Sequence, residues 1–176
     1  MKAIFSYFRL YLDLIFINLF FLIFAISFYL LFSQKLEIIG AIMATGISIS
    51  FGIRQYKIEN DKMFKELFKE FNCKYDRQFN DVLNKLDREI KSDLEVSIPE
   101  NRDLIIDYLN FCSEEYLWYK KGRIPFTVWT SWKNGMLYFL NLPPIYEIVS
   151  EQFNQKESYY GLFEELFPNI IGKNIK

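Results

Sequence analysis

Few side chains in this sequence could do chemistry, and Glu114 and Glu115 form the most suggestive pair. Two carboxyl groups can share the acid and base roles of a reaction when both reach one substrate. Adjacent residues of a helix diverge by about 100°, so this pair needs a second element to complete a site. We therefore expect the pair to form ion pairs instead. The predicted partners are Lys120, Lys121, Arg123 and Lys133.

Other catalytic and metal-binding patterns are missing from the sequence. The chain has no histidine, which is the commonest general base and a frequent metal ligand. It contains no glycine-rich phosphate-binding loop and no serine in a nucleophile elbow. Cys73 and Cys112 lack the spacing of metal ligands, and we expect both thiols to be reduced. The sequence therefore predicts a protein that is not an enzyme, with no catalytic residues, no metal and no cofactor.

The aromatic residues favour either a packed core or a recognition surface. Tryptophan and tyrosine dominate the binding energy of many interfaces, but in small helical domains they more often fill the core. We expect Trp129 and Trp132 to be structural. The candidate residues for binding a partner are Glu114, Glu115, Trp118 and Arg123. A net charge of -1 argues against direct nucleic-acid binding, which needs a basic patch.

Two apolar runs near the start of the chain predict a transmembrane hairpin. Residues 14–32 carry no charge, and as a helix they span roughly the 30 Å of a bilayer core. Residues 38–53 are a shorter run that needs Leu36 and Tyr56 at its ends or a locally thinned bilayer. The five residues between the runs allow only a tight connection. We predict helices at about 11–32 and 36–53, within a hairpin of residues 1–53.

The charges that flank the hairpin predict its orientation. The first run is too long for the core of a signal peptide, and no small-residue cleavage site follows Phe32. Lys35 is the only basic residue of the turn, whereas five basic residues follow the second run. These five are Arg54, Lys57, Lys62, Lys65 and Lys69. By the positive-inside rule, both termini are cytoplasmic.

The two predicted helices differ in the residues that repeat every four positions. The first carries an aromatic ridge, formed by Phe16, Phe20, Phe24, Phe28 and Phe32. The second carries a small-residue face, formed by Gly40, Ala44, Ser48 and Gly52. Such a face lets helix backbones approach closely in lipid. It packs either against the first helix or against copies of itself, with Thr45, Ser48 and Ser50 facing a polar lumen. Asn18 is expected to form an interhelical hydrogen bond.

Residues 54–95 are predicted to form an amphipathic stalk helix in the cytoplasm, reaching to about Lys91. Its apolar stripe repeats with a period of 11 residues, which keeps the stripe on one face. The stripe consists of Phe64, Phe68, Phe71, Tyr75, Phe79, Val82, Leu86 and Ile90. The stalk either continues the second membrane helix or breaks near Ile58. We expect the stripe to join an intramolecular core, with an oligomer contact as the alternative.

Residues 96–176 are predicted to form a small cytoplasmic helical domain. Ser97 to Glu100 has the form of a capping box, and the helix that follows ends at Gly122, a favourable left-handed cap. A second helix opens at Ile124-Pro125 and ends at Pro143-Pro144, which starts a third that reaches about Phe153. The last predicted helix covers Ser158 to about Phe167. The fold class is therefore a membrane-anchored all-α protein.

Several motifs of the second half of the chain stand out together. They are residues 107–125 (DYLNFCSEEYLWYKKGRIP), residues 71–76 (FNCKYD), Trp129, Trp132 and Gly135-Met136, and residues 159–162 (YYGL). These motifs resemble a family of small bacterial helical proteins that includes two-transmembrane retron-associated antiphage effectors. The resemblance implies an effector in the bacterial inner membrane that a retron reverse transcriptase with its RNA-linked DNA holds inactive. Such an effector would perturb the membrane on release, as a possible homo-oligomer in the lipid bilayer. The alternative is a membrane anchor or regulatory subunit that never disrupts the bilayer.

Overall fold

The computed structural model describes residues 2–32, 36–92 and 98–171, and the regular secondary structure in these ranges is entirely helical. In chain order the helices are α1 (Lys2–Phe32), α2 (Leu36–Gln78), α3 (Asn80–Lys91), α4 (Ile98–Lys120), α5 (Phe126–Leu140), α6 (Pro143–Gln152), a 3-10 helix (Phe153–Tyr159), α7 (Leu162–Leu166) and α8 (Pro168–Ile171). The predicted all-α class is confirmed. The hairpin turn and the Ser97 capping box lie outside the described residues.

The chain divides into two compact units, Met1–Lys62 and Met63–Lys176. The first unit contains α1 and the N-terminal part of α2, and both helices are long and apolar enough to cross a membrane. The aromatic ridge of α1 forms as predicted, because centroids of successive rings from Phe20 to Phe32 lie 4.9 to 6.3 Å apart. Most of these rings are exposed, as expected for a helix face that contacts lipid.

The predicted stalk helix differs from the observed one at its C-terminal end. α2 continues through Ile58 without a break, but it ends at Gln78, and α3 begins two residues later. The prediction of one helix to about Lys91 is therefore wrong. Phe79 at the junction has φ −119°, which departs from helical geometry, and its ring is buried against Tyr108 and Phe111, but no proline or glycine marks this interruption.

Most of the apolar stripe that follows the hairpin joins a core within the second unit, as we expected, but Phe64, Phe68 and Ile90 do not, and Phe68 is 41% exposed. Phe71, Phe79 and Leu86 are buried there, and Tyr75 and Val82 pack against them. Leu67 and Leu83, which lie outside the predicted stripe, are buried as well. The rest of this core comes mainly from α4, α5, α6 and α7. The alternative of an oligomer contact is therefore not needed to bury these side chains.

The connection between α4 and α5 follows the predicted local signals. Gly122 has φ +69°, and its N–H donates to the Tyr119 carbonyl oxygen over 2.8 Å. The Arg123 N–H donates to the Trp118 carbonyl oxygen over 3.0 Å, which completes a Schellman motif. Pro125 then precedes the first residue of α5 with an extended backbone. These bonds fix where α4 stops and where α5 starts.

The C-terminal part of the chain differs from the predicted helix over Ser158 to Phe167. A 3-10 helix ends at Tyr159, and Tyr160 and Gly161 both have left-handed backbones with φ +54° and +87°. A left-handed residue cannot continue a right-handed helix, so α7 starts only at Leu162. The break lets Leu162 and Phe163 reach the core, where both are fully buried.

Candidate functional site

The two helices of the first unit contact each other through Gly46 and Ser50 of α2. A Cβ atom built on Gly46 would lie 2.6 Å from Cγ of Phe21, so only glycine allows this approach. Four residues further along α2, the Ser50 hydroxyl accepts a hydrogen bond of 2.7 Å from the Asn18 side-chain amide. The predicted role of Asn18 as an interhelical donor is therefore observed. Gly46 and Ser50 are both buried, in contrast to most of α2 in this unit.

The small-residue face does not take part in this contact. All four of its residues are exposed, and a Cβ atom built on Gly40 or Gly52 would have no neighbour within 4 Å. The prediction that this face receives the first helix of its own hairpin is therefore wrong. Small residues four positions apart occur in two sets on α2, the small-residue face and the pair Gly46 and Ser50. Phe21 and Asn18 of α1 lie against the second set. Association with copies of the same chain stays a prediction.

The hydroxyl groups on the exposed part of α2 bond to their own helix. Thr45 donates to the Ala41 carbonyl oxygen and Ser48 to the Ala44 carbonyl oxygen, each over 2.9 Å. Such bonds hide the hydroxyl polarity from lipid. Ser50 lies on the buried side with Asn18, so it does not share a surface with Thr45 and Ser48. The alternative in which Thr45, Ser48 and Ser50 all face one polar lumen is therefore wrong, because Thr45 and Ser48 are exposed and Ser50 is buried.

An ion pair that sequence reasoning missed joins α1 and α2 beyond the apolar runs. Lys57 Nζ lies 2.8 Å from Oδ2 of Asp13, 44 positions earlier in the chain. Both residues lie at the same end of the two apolar runs, on the side away from the turn. That symmetry about the turn is the signal that could have revealed the pair. The contact favours one register of the two helices.

The acidic pair on α4 divides into an exposed and a buried carboxyl. Glu114 is half-exposed and forms an ion pair of 3.2 Å with Lys74 Nζ of α2. Two of the predicted basic partners bond elsewhere, since Lys120 donates to the Tyr160 carbonyl oxygen and Lys133 pairs with Glu165. The prediction that Glu114 pairs with a basic residue is correct in kind and wrong in partner.

Glu115 is only 5% exposed and has no hydrogen bond or ion pair within the described part of the chain. Burial raises the pKa of its carboxyl well above the ordinary value, and the charge of Glu114 raises it further, while Lys74 acts in the opposite direction. The sequence contained a signal for this burial. Glu115 follows Phe111 by four residues and Tyr108 by seven, which is the spacing of the apolar face of α4.

Two further candidates for partner binding lie at the C-terminal end of α4. The Trp118 ring packs partly against the core and has Lys121 Nζ 4.6 Å from its centroid. Such a contact is a cation–π interaction. Arg123 is partly buried, and its backbone closes the Schellman motif. With Glu115 buried, the four predicted residues do not form one continuous exposed patch.

The other two tryptophans are structural, as expected. Trp129 is 1% exposed and stacks on Tyr119, with ring centroids 5.0 Å apart. Its indole nitrogen has no hydrogen-bond partner among the residues that the structure describes. Trp132 is half-buried and lies 5.9 Å from Phe68 and 5.8 Å from Phe71, measured between ring centroids.

Comparison with known proteins adds no assignment. No protein-family model, curated protein or solved structure matches the chain. Among the described residues, no group of three or more cysteine and carboxylate side chains is arranged to hold a metal ion. The resemblance to retron-associated effectors therefore stays a hypothesis based on the motifs quoted above.

Proposed function

We propose that this chain is a membrane-embedded effector of a bacterial antiphage defence system of the retron type, which perturbs the inner membrane when its partner releases it. Two helices of suitable length and hydropathy support a location in the membrane. The small-residue face, exposed beside a hairpin contact that uses Gly46 and Ser50 instead, is the observation that carries the proposal. A face of this kind favours close helix association in lipid.

The proposed mechanism is physical and needs no catalytic residue. While the partner is bound, the hairpins of different copies stay apart. Within each hairpin, the Asn18–Ser50 hydrogen bond and the Asp13–Lys57 ion pair hold α1 against α2. After release, α2 helices of several copies associate through the small-residue face. The Thr45 and Ser48 hydroxyls, which now bond within the helix, can exchange those bonds for water or for a neighbouring chain. Polar groups at such a junction lower the barrier to ions.

Membrane depolarisation in cells tests this proposal. The parent chain, expressed without any inhibitory partner, should depolarise the inner membrane. Gly40→Leu and Ser48→Leu should reach the membrane at normal levels but depolarise weakly, because leucine keeps the helix apolar while it blocks close approach. Ile49→Leu is the matched control, since Ile49 is exposed on the same helix but lies outside the small-residue face.

Two outcomes would contradict the proposal. Inserted Gly40→Leu and Ser48→Leu variants that depolarise as strongly as the parent would exclude association through this face. A parent chain that inserts but never depolarises would favour the alternative function of a membrane anchor or regulatory subunit. Membrane fractions must be quantified in parallel, because poor insertion would imitate a loss of activity.

The proposed topology places both termini in the cytoplasm, where a reverse transcriptase and its RNA-linked DNA can be reached. The excess of basic residues after the second apolar run supports it. Two reporters can be fused after Lys176, one that is active only in the cytoplasm and one that is active only in the periplasm. We expect the first fusion to be active and the second to be inactive. The opposite result would remove the cytoplasmic partner from the proposal. Glu114, Trp118 and Arg123 are the residues to substitute first when that partner is sought.

A further inference from the structure

A small cavity lies within the second unit, between α2, α4 and α5, and the proposed membrane activity makes no use of it. Its volume is about 170 Å³. An engineered apolar cavity of about 150 Å³ holds one benzene molecule, so this cavity has room for a ligand of on the order of six heavy atoms. It is lined by Asn72, Tyr75, Tyr108, Phe111, Glu115, Ser131, Trp132, Gly135 and Met136.

Aromatic rings form much of the cavity wall. Tyr75 comes from α2, Tyr108 and Phe111 from α4, and Trp132 from α5. The faces of aromatic rings carry negative electrostatic potential and attract cations, most strongly when water is excluded. One cation already makes such a contact beside the cavity, because Lys74 Nζ lies 5.4 Å from the centroid of Phe111. The wall is therefore suited to a positively charged ligand.

Glu115 is the acid of this cavity. Its side chain lines the space, is 5% exposed, and has no hydrogen-bond or ion-pair partner among the described residues. A buried ionised carboxylate without a partner is costly, and a cation beside it offsets that cost. Lys74 does not serve as that partner, since its ammonium group pairs with the exposed Glu114 carboxylate.

We propose that this cavity binds a small organic cation, such as a methylated ammonium ion, with Glu115 as its counter-ion and the four aromatic rings as its cage. The ammonium group would lie against the Glu115 carboxylate, and its methyl groups would contact the rings of Tyr75, Tyr108, Phe111 and Trp132. Ser131 and Gly135 are exposed and one helical turn apart on α5, so the cavity opens to solvent between them.

Binding should depend on pH because Glu115 must ionise. Burial raises the pKa of the Glu115 carboxyl. In the free protein this carboxyl therefore stays partly protonated at pH values at which an exposed glutamate is ionised. A bound cation favours the ionised form, and binding therefore releases protons and strengthens as pH rises. The other titratable groups near Glu115 are Lys74, Tyr75, Tyr108, Cys112 and Glu114. Burial raises the pKa of Tyr75, Tyr108 and Cys112, so these three groups stay neutral at neutral pH and below.

Calorimetric titration of the full chain in detergent with tetramethylammonium chloride tests the proposal. We expect saturable binding that is about tenfold or more weaker in Glu115→Gln, because a charge-assisted contact is lost. Asp103→Asn is the matched control and should bind within about twofold of the parent, since Asp103 is exposed on the same helix and does not line the cavity. Sodium chloride at the same ionic strength should give no saturable heat.

A neutral ligand of similar shape separates charge recognition from simple filling of the cavity. Tert-butanol should bind at least about tenfold more weakly than tetramethylammonium. Trp132→Leu removes a half-buried ring of the cavity and keeps Glu115, and it should also weaken tetramethylammonium binding. This second variant keeps the proposal testable if Glu115→Gln fails to fold. Titrations in buffers of different ionisation enthalpy should reveal proton release that Glu115→Gln lacks. The proposal is overturned by equal binding of tert-butanol, by unchanged affinity of Glu115→Gln, or by no saturable binding of tetramethylammonium.

Discussion

The two units of this chain bury their residues in opposite ways. In the first unit, most large apolar side chains of α1 and α2 are exposed, and the helices meet where Gly46 and Ser50 allow close approach. In the second unit, large side chains such as Trp129, Phe111 and Phe163 are fully buried in one core. Water drives the second kind of packing but is absent from a bilayer, where association depends on close backbone contact. Small residues therefore make the helix contact in the first unit, whereas large aromatic residues fill the core of the second.

The largest effect is expected when a ring is removed from the core of the second unit. Trp129→Ala should lower the free energy of unfolding by about 3 to 5 kcal/mol, because the residue is 1% exposed. Trp132→Ala, at a half-buried position, should cost less than Trp129→Ala. Denaturant unfolding of the full chain in detergent, followed by tryptophan fluorescence and circular dichroism, measures both. Equal costs would mean that burial does not rank these positions.

The matched change in the first unit is an added side chain instead of a removed one. Gly46→Leu should destabilise the helix pair by about 1 to 3 kcal/mol, since its Cβ atom would overlap the Phe21 ring. Gly40→Leu should leave the helix pair unchanged because open space surrounds that position. Energy transfer between dyes on α1 and α2, measured as denaturing detergent is added, reports the separation of the helices. If Gly40→Leu separates them more readily than Gly46→Leu, the contact face is wrong.

The second unit should also respond to pH, through Glu115. The folded protein raises the pKa of Glu115, so the protonated carboxyl favours folding. That contribution is complete below the pKa of the unfolded chain and is lost as pH rises through the pKa of the folded chain. Glu115→Gln should therefore reduce the loss of stability on going from acid to neutral pH. Asp103→Asn, at an exposed position of the same helix, should change stability by at most about 1 kcal/mol at any pH. Parallel pH profiles for Glu115→Gln and the parent would refute this role.

The smallest effect is expected from the hydrogen bond between the two helices of the first unit. Asn18→Leu removes the donor to Ser50 and should cost about 0.6 kcal/mol, the average for such bonds in membranes. The same energy-transfer assay measures it, with Ser27→Leu on α1 as the control because Ser27 is exposed. A cost above about 2 kcal/mol would show that this bond, and not close approach at Gly46, holds the pair.

The sequence predicted those features that depend on local chemistry. Apolar composition predicted the two long helices, and Gly122 and Pro125 predicted where α4 ends and α5 begins. The interruption at Phe79 was missed because no proline or glycine marks it, and the ring contacts of Phe79 with Tyr108 and Phe111 of α4 cannot be read from local sequence.

Predicting the candidate site was harder, since it depends on which helix face meets which neighbour. Two sets of small residues four positions apart compete on α2, and only the positions of Phe21 and Asn18 distinguish them. In contrast, the periodicity of α4 carried a signal for the burial of Glu115 that we missed, because we expected this residue to form an ion pair. A charged residue at such a position is a signal that sequence analysis can use.

Disulfide cross-linking in membranes tests most directly whether the exposed face of α2 joins copies of the chain. Cys73→Ser removes the partly exposed native thiol, and Cys112 is fully buried. In that background, Ser48→Cys should form covalent dimers on mild oxidation, while Ser50→Cys, covered by Asn18, should stay monomeric. Dimers should appear under the conditions in which cells depolarise. Cross-linking at Ser50→Cys but not at Ser48→Cys, or depolarisation without any dimer, would contradict the account.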